Sequence, residues 1–223
     1  SVSPCTAMKF EARRDSMTRK GISDIDTVLT VRELSRLIGL YGIDISNIDP
    51  EAADDPMSSR SSAALLAETS GGIAESVLRS LMARTGEKEA EKQVFKKLRQ
   101  SGSFREVTVE IGGAEYSVAV IDGLPGIEKL KQMPGGGARY DLVEVMTCPG
   151  GCVNGGGMIP AGSKEAVRQR SKYVYLSDEQ EAVRSPEKSA SISTLYEKVF
   201  KENDELADMK LFLTHFVKRD VLL

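Results

Sequence analysis

The chain has 223 residues, of which 40% are hydrophobic and 28% are charged, as in an ordinary globular protein. Its formal net charge of -3 argues against nucleic acid as the main partner, because phosphate binding needs a basic surface. No apolar run reaches the roughly 18 residues that a membrane span needs, and the first residues lack the basic and apolar regions of a signal peptide.

The first part of the chain is predicted to form a helix followed by a βα unit. Residues 9–20 have helical composition, with Phe10 as an apolar anchor, and the β-branched residues 24–30 predict a short buried strand. Thr30 and Glu33 have the spacing of a capping box. The helix after them has its apolar face at Leu34, Leu37, Ile38 and Leu40.

The next region is predicted to be a long loop, over residues 43–70, and then a helix opened by Ser70-Gly71-Gly72. We expect Glu75 and Arg79, four positions apart, on the exposed side of this helix. Residues 87–100 also have helical propensity. The apolar face predicted for the helix after Gly71 consists of Ile73, Val77, Leu78, Leu81 and Met82.

The second half begins with a predicted β-hairpin, in which Gly112 and Gly113 form the turn. Strands alternating with helices predict an α/β fold with a layered sheet of short strands, parallel plus one hairpin, flanked by helices. The length of the chain suits one large domain or two small ones. Arg170 and Tyr175 are expected to hold helices together. The remaining predicted elements are a helix at 127–133, a strand at 142–146, and helices at 163–178, 192–200 and 205–216.

Only three cysteines occur, which is too few and an odd number for a disulfide scaffold and fits a reducing, cytoplasmic compartment. Cys148 and Cys152 flank the bend Pro149-Gly150-Gly151, directly after the predicted strand at 142–146. Such a bend allows both sulfurs to face one point while backbone amides approach them. Iron–sulfur clusters need soft thiolates and N–H donors in this arrangement.

The residue pattern alone leaves two other interpretations of this loop open. One is a flexible glycine-rich loop whose cysteines have no role. The other is a zinc site made by the three cysteines and His215, the single histidine. For His215 itself, a packed or helix-terminal position is favoured over a role in proton relay.

Three motifs in this order resemble the FeFe-hydrogenase family. They are Pro-Cys-Thr-Ala-Met-Lys-Phe-Glu from Pro4, Thr-Ser-Gly-Gly-Ile-Ala-Glu-Ser from Thr69, and Met-Thr-Cys-Pro-Gly-Gly-Cys-Val-Asn-Gly-Gly-Gly from Met146. The resemblance covers essentially the whole chain and identifies it as the C-terminal half of the family's catalytic domain. The first residues, with a cysteine motif and no Met, are interpreted as a cut inside a longer protein.

The resemblance implies an H-cluster, in which a 4Fe–4S cube is joined through a cysteine sulfur to a di-iron unit, and with it oxidation or formation of H2. Cys5 and Cys148 match cube ligands, and Cys152 matches the ligand whose sulfur bridges the two iron units. Gly150 and Gly151 match the backbone around the cofactor. The matches near the di-iron unit are Met146, Met8 and Glu68, with Met8 favoured as apolar packing and Glu68 as a surface residue or, alternatively, a proton-path carboxylate.

Some residues depart from the family pattern. Met8 stands where typical members have a hydrogen-bonding lysine, and a thioether cannot donate that bond. Ala67-Glu68 stands where they have Phe-Gly. Such changes tune the cofactor's surroundings and suggest a divergent, sensory branch with slow turnover.

The resemblance also implies partners that this sequence does not contain. The fourth cube ligand and the family's proton-donating cysteine belong to an upstream part of the same protein, and the electron carrier would be of ferredoxin type. Two alternatives are a non-catalytic relative of the iron–sulfur assembly type, which binds conventional 4Fe–4S clusters, and a folded scaffold without metal.

Overall fold

A computed structural model describes residues 1–52, 54, 60–86, 92–135 and 139–201, except for the side chains of Arg19, Lys92 and Val199. The helix predicted at 205–216, with His215, lies outside these residues. The strands are β1 (Val2–Ser3), β2 (Thr18–Arg19), β3 (Ile22–Ser23), β4 (Leu29–Thr30), β5 (Phe104–Ile111), β6 (Ala114–Asp122) and β7 (Leu142–Met146). The helices are α1 (Met8–Glu11), α2 (Val31–Leu40), α3 (Ala63–Leu66), α4 (Gly72–Thr85), α5 (Lys92–Leu98), α6 (Leu124–Gln132), α7 (Lys164–Gln180) and α8 (Ala190–Thr194).

The main sheet has the strand order β5-β6-β7 and confirms the predicted hairpin. β5 and β6 are antiparallel, and Gly112 and Gly113 connect them with φ values of 61° and 76°, as a tight two-residue hairpin turn requires. β7 runs parallel to β6 on its other edge, with Met146 opposite Asp122. The carboxyl ends of β6 and β7 therefore lie side by side.

The hydrophobic core lies between this sheet and the helices α4 and α5. Alternate residues of β5 are buried because successive side chains of a strand point to opposite faces. The buried core residues are Ala74, Leu78, Met82, Phe95, Leu98, Val107, Val109, Ile111, Val118 and Val120. This arrangement confirms the predicted α/β class, with the strands distributed over three small sheets.

The N-terminal region differs from the prediction. The helix predicted at 9–20 ends at Glu11, and β2 and β3 form a second small hairpin whose turn contains Lys20 and Gly21, both with positive φ. Phe10 is 59% exposed, so the predicted apolar anchor has no buried face on which a longer helix could pack. The strand predicted at 24–30 is limited to β4, which pairs in parallel with β1.

The start of α2 confirms the capping box. The backbone N–H of Glu33 donates to Thr30 Oγ1 over 3.2 Å, and the N–H of Thr30 donates to Glu33 Oε2 over 2.8 Å. Hydrogen bonds from the side chain of Lys9 and from Thr30 lower the pKa of Glu33 to about 2. The predicted apolar face of α2 contains no fully buried residue.

The helix α4 lies where it was predicted, but the side chains that it buries differ in part from the predicted apolar face. Glu75 and Arg79, expected on the exposed side, are 0% and 4% exposed, whereas Ile73 and Val77 are 42% and 44% exposed. The charged pair is buried because Arg99 and Asp178, from distant parts of the chain, contact it.

The last described helices follow the prediction. Ser163 caps α7 by accepting a hydrogen bond from the N–H of Ala166, and a short turn at Pro186–Lys188 separates α7 from α8. α8 continues as a wider helical turn over Leu195–Phe200. None of the helices in the described ranges has the length and apolar character to cross a bilayer.

Candidate functional site

The double-cysteine loop begins two residues after β7, at the carboxyl edge of the main sheet. In open α/β sheets, binding sites form at this edge because several loops leave it close together. Asp122, the last residue of β6, accepts a hydrogen bond of 2.8 Å from the N–H of Gly150. Burial raises the pKa of Asp122, and this hydrogen bond and Arg105 oppose that shift in part. The carboxylate at the end of β6 thus fixes the conformation of the loop that follows β7.

Backbone hydrogen bonds hold the loop in one bent conformation. The N–H of Gly151 donates to the carbonyl of Cys148 over 2.9 Å, and that of Gly155 donates to the carbonyl of Cys152 over 2.8 Å. Gly150 and Gly151 have φ values of 87° and 91°, which side chains with a Cβ rarely adopt. This geometry does not support the interpretation of the loop as a flexible glycine tract.

One side of the loop is docked on the turn that joins α3 to α4. The N–H of Val153 donates to the carbonyl of Glu68 over 3.0 Å, and the N–H of Ser70 donates to the carbonyl of Gly150 over 3.2 Å. A Cβ on Gly151 would lie only 2.7 Å from both the Glu68 carbonyl oxygen and the Ser70 nitrogen. Glycine at position 151 is therefore required for this close approach of two backbone segments.

The other side of the loop contacts the beginning of the chain. The N–H of Gly157 donates to the carbonyl of Pro4 over 2.8 Å, and a Cβ on Gly155 would lie 2.3 Å from that oxygen. Arg32 of α2 donates to the carbonyls of Gly156 and Met158. These contacts hold the residue before Cys5 against the residues that follow Cys152.

The three thiols therefore share one region with a carboxylate. Cys5, Cys148 and Cys152 are free cysteines, each partly exposed. Burial raises the pKa of the Cys152 thiol, and the nearby acidic groups of Cys5, Glu68 and Cys148 raise it further. Thiolates that repel one another are stabilised when a bound metal supplies positive charge. Three soft sulfur donors that converge in one region fit an iron–sulfur cluster.

The structure gives less support to the zinc interpretation. Within the described part of the chain, no three His, Cys, Asp or Glu side chains are arranged to hold one metal ion. His215, the fourth donor of that hypothesis, lies outside it. A single zinc ion needs all its ligands in one coordination sphere, whereas the thiolates of a cluster bind separate irons.

The other predicted residues lie on different elements and differ in exposure. Met146 ends β7 and is 9% exposed, whereas Met8 begins α1 and is half-buried. The side chain of Glu68 is exposed, and only its carbonyl is docked on the loop. Arg170 was expected to join helices, but it joins α7 to the loop by donating to the carbonyls of Val153 and Ile159, over 3.1 and 2.8 Å.

Tyr175 does join two helical elements, as predicted. The guanidinium of Arg99, one residue after α5, lies 4.4 Å from the ring centroid of Tyr175 on α7. Burial raises the pKa of the Tyr175 hydroxyl.

Two supporting carboxylates were missed by the sequence analysis. One is Asp122, described above. The other is Glu144 of β7, which is 4% exposed and accepts hydrogen bonds from the N–H groups of Gly71 and Ala74, over 2.6 and 2.8 Å. Glu144 thereby caps α4 and fixes the turn on which the loop docks. A glutamate inside an apolar strand was the signal that could have revealed it.

Comparison with known proteins agrees with this geometry. The family described as "Iron only hydrogenase large subunit, C-terminal domain" matches residues 1–156. The chain belongs to this family. A solved structure of the FeFe-hydrogenase HydA1 from Chlamydomonas reinhardtii, 27% identical, superposes with a TM-score of 0.70 over 90% of this chain and 58% of that one.

Curated relatives of this hydrogenase-like domain include proteins of two kinds. Iron hydrogenase 1 of Clostridium pasteurianum is 34% identical over 90% of the chain. The cytosolic Fe-S cluster assembly factor narfl of Xenopus tropicalis is 32% identical over 88% of it. The chain spans only 36% and 42% of the lengths of these two relatives.

Proposed function

We propose that this chain supplies three of the four thiolate ligands of the H-cluster of an FeFe-hydrogenase. The observation that carries the proposal is the convergence of Cys5, Cys148 and Cys152 in one region, through backbone contacts that join the chain start, the β7 loop and the turn at Glu68. The fourth ligand would come from an upstream part of the same protein.

Cys5 and Cys148 would hold the 4Fe–4S cube, and Cys152 would be the ligand that the cube shares with the di-iron unit. When bound, the cluster supplies the redox chemistry for reversible H2 oxidation and proton reduction, with an electron carrier of ferredoxin type as partner. Asp122 keeps the loop bent by holding the Gly150 N–H. Because Gly150 and Gly151 have no Cβ, the main chain of the bend could approach a bulky cofactor closely.

The remaining predicted residues control the surroundings of the thiols. Met146 is buried at the end of β7, and its apolar side chain would exclude water from the loop that follows. Met8 can pack but cannot donate a hydrogen bond, which weakens the hold on a polar cofactor ligand. The exposed carboxylate of Glu68 lies near the Cys152 thiol and is the candidate for a proton path. Together these features favour a slow, sensory hydrogenase over a fast hydrogen producer.

A second candidate is a non-catalytic protein that binds conventional 4Fe–4S clusters. It is favoured by the likeness to the cytosolic Fe-S cluster assembly factor of Xenopus tropicalis. Both candidates use the paired cysteines of the β7 loop, so the presence of iron alone does not separate them.

Infrared spectroscopy of the complete protein, matured in the presence of the hydrogenase assembly machinery, separates the two candidates. We expect stretching bands of CO and cyanide, together with slow H2 turnover. A protein that contains iron and sulfide but lacks these bands would contradict the hydrogenase proposal and support the assembly-type function.

Serine substitutions test the ligand assignment. Cys5→Ser, Cys148→Ser and Cys152→Ser are each expected to lower bound iron, while Ser35→Ala, on the exposed surface of α2, keeps it unchanged. Full iron content in all three cysteine variants would contradict the assignment.

A further inference from the structure

A cavity of about 240 Å³ lies behind the double-cysteine loop, between α7 and the residues that follow α5. Gly150 of the loop contributes to its wall. Among the described residues, its lining contains one carboxylate, that of Asp122, and four cationic side chains: Arg99, Arg105, Arg168 and Lys172. We call it the Arg105 cavity. The surplus of cations over carboxylates attracts anions.

Arg105 is the most buried of these cations, with a side chain 8% exposed. It donates to the hydroxyl of Ser70 over 2.6 Å and to the carbonyl of Gln100, which are both neutral acceptors. Its nearest carboxylate oxygen, on Asp122, lies 4.0 Å away, and its Nε has no hydrogen-bond partner within the described part of the chain. Arg105 is thus a buried cation whose charge is incompletely compensated.

The electrostatics of Arg105 agree with this geometry. Burial lowers the pKa of its guanidinium, and the carboxylates of Asp122 and Glu144 offset the shift only in part. Asp122 accepts a hydrogen bond from the N–H of Gly150 and none from Arg105, whose nearest nitrogen is 4.0 Å from the carboxylate. An anion in the cavity would stabilise the charged form of Arg105.

The cations at the rim of the cavity differ from Arg105 because they are either exposed or paired with carboxylates. Arg168 and Lys172 are four residues apart on α7, so they lie on one face of the helix, and both are exposed. Arg99 is held by Glu75 and Asp178, over 2.7 and 3.3 Å. Arg168 pairs with the exposed Glu165 over 3.6 Å. The rim therefore attracts an anion from solvent mainly through Lys172, while Arg105 lies inside the cavity.

We propose that the Arg105 cavity binds a small phosphate-type oxyanion, either free phosphate or the phosphoryl group of a small molecule. The planar guanidinium fork of Arg105 matches two oxygens of such a group. Hydroxyl and amide donors in the lining, from Ser101 and Gln100, can supply further hydrogen bonds. The volume is below the roughly 300 Å³ of pockets for drug-sized ligands, which favours a small anion.

Calorimetric titration of the complete protein at constant ionic strength tests this site, with inorganic phosphate as the probe and chloride as the background anion. We expect saturable binding of one phosphate per chain. Glycerol 3-phosphate in a second titration distinguishes the two sources, since tighter binding than inorganic phosphate indicates a phosphoryl group and weaker binding indicates the free anion. Absence of saturable phosphate binding would overturn the proposal.

Variants make the test specific. Arg105→Gln is expected to weaken phosphate binding about tenfold or more, because a charge-assisted hydrogen bond is lost. Lys172→Gln, at the exposed rim, should weaken it by a smaller factor of about three without affecting folding. Arg60→Gln removes a cation whose side chain is 74% exposed and which does not line the cavity, and should leave binding unchanged. Equal weakening in all three variants would mean non-specific attraction and would also overturn the proposal.

Discussion

Arg79 of α4 donates hydrogen bonds from both Nη atoms to the carboxylate of Asp178 on α7, over 2.7 and 2.8 Å, across 99 positions of sequence. Their side chains are 3% and 0% exposed. Glu75 contacts the same guanidinium from within α4, and Arg99 contacts both carboxylates. This buried network joins α4, whose first residues follow the turn that supports the cysteine loop, to α7.

Asp178→Asn is expected to destabilise the protein by about 3–5 kcal/mol, because the substitution leaves buried guanidinium groups without their carboxylate. The free energy of unfolding from urea titrations measures the loss. Glu181→Gln, just after α7, is the matched control, since Glu181 pairs with the exposed Arg60 and its loss should cost no more than about 1 kcal/mol. Equal losses in the two variants would contradict the importance of the buried network.

The same aspartate predicts a dependence of stability on pH. Burial alone would raise the pKa of Asp178, but hydrogen bonds from Arg79, Ser62 and Arg184 outweigh it and hold the pKa below the ordinary value of 3.8. A group with a lowered folded-state pKa contributes stability above its unfolded pKa and loses that contribution as the pH falls toward the folded value.

The stability difference between the wild-type protein and Asp178→Asn should therefore be constant near neutral pH and shrink below about pH 4. Urea titrations at a series of pH values measure it. A difference that grows with acidification would show that the ionised carboxylate is not the stabilising form.

Features whose causes lie within a few residues could be predicted from the sequence. The capping box of Thr30 and Glu33 and the hairpin turn at Gly112-Gly113 are of this kind, since spacing and residue type determine both. The double-cysteine loop was also recognised locally, as two cysteines around a glycine bend after a strand. The link between Cys5 and this loop came from the family resemblance, because their separation in sequence leaves no local signal.

Features determined by distant partners could not be predicted. Glu75 and Arg79 have the spacing of an exposed ion pair, and their burial depends on Arg99, 24 positions after Glu75, and on Asp178, 99 positions after Arg79. Asp122 marked only the end of a strand, although its carboxylate holds a loop 28 positions further on. Hydrophobic periodicity cannot identify buried polar residues whose hydrogen-bond or ion-pair partners lie far away in the sequence.

Gly151→Ala is expected to disrupt the site. The added Cβ would meet two backbone atoms at 2.7 Å, and neither the loop nor the turn at Glu68 can move without breaking its hydrogen bonds. A left-handed conformation alone costs a residue with a Cβ about 1–2 kcal/mol. The free energy of unfolding of Gly151→Ala should fall by more than this amount. It should also bind less iron per chain than the wild-type protein after cluster reconstitution.

Gly162→Ala separates the two effects of Gly151→Ala, which are the cost of the left-handed backbone and the clash of the added Cβ. Gly162 also has positive φ, at 70°, but a Cβ there would have nothing within 4 Å. This control should show the backbone cost alone and keep full iron content, as measured by chemical denaturation and iron analysis. If both variants lose iron equally, the close approach at Gly151 does not govern the site.

Asp122 should act as a positioning residue for the cysteine loop. In Asp122→Ala the N–H of Gly150 loses its acceptor, so the loop relaxes and the thiols of Cys148 and Cys152 separate from their present arrangement. In Asp122→Asn the amide oxygen can still accept that hydrogen bond, although the charge opposite Arg105 is lost. We therefore expect low iron content in Asp122→Ala and largely retained iron content in Asp122→Asn. Both variants should keep the hairpin and core, which far-ultraviolet circular dichroism can verify, and equal iron loss in the two would assign the effect to charge instead of loop geometry.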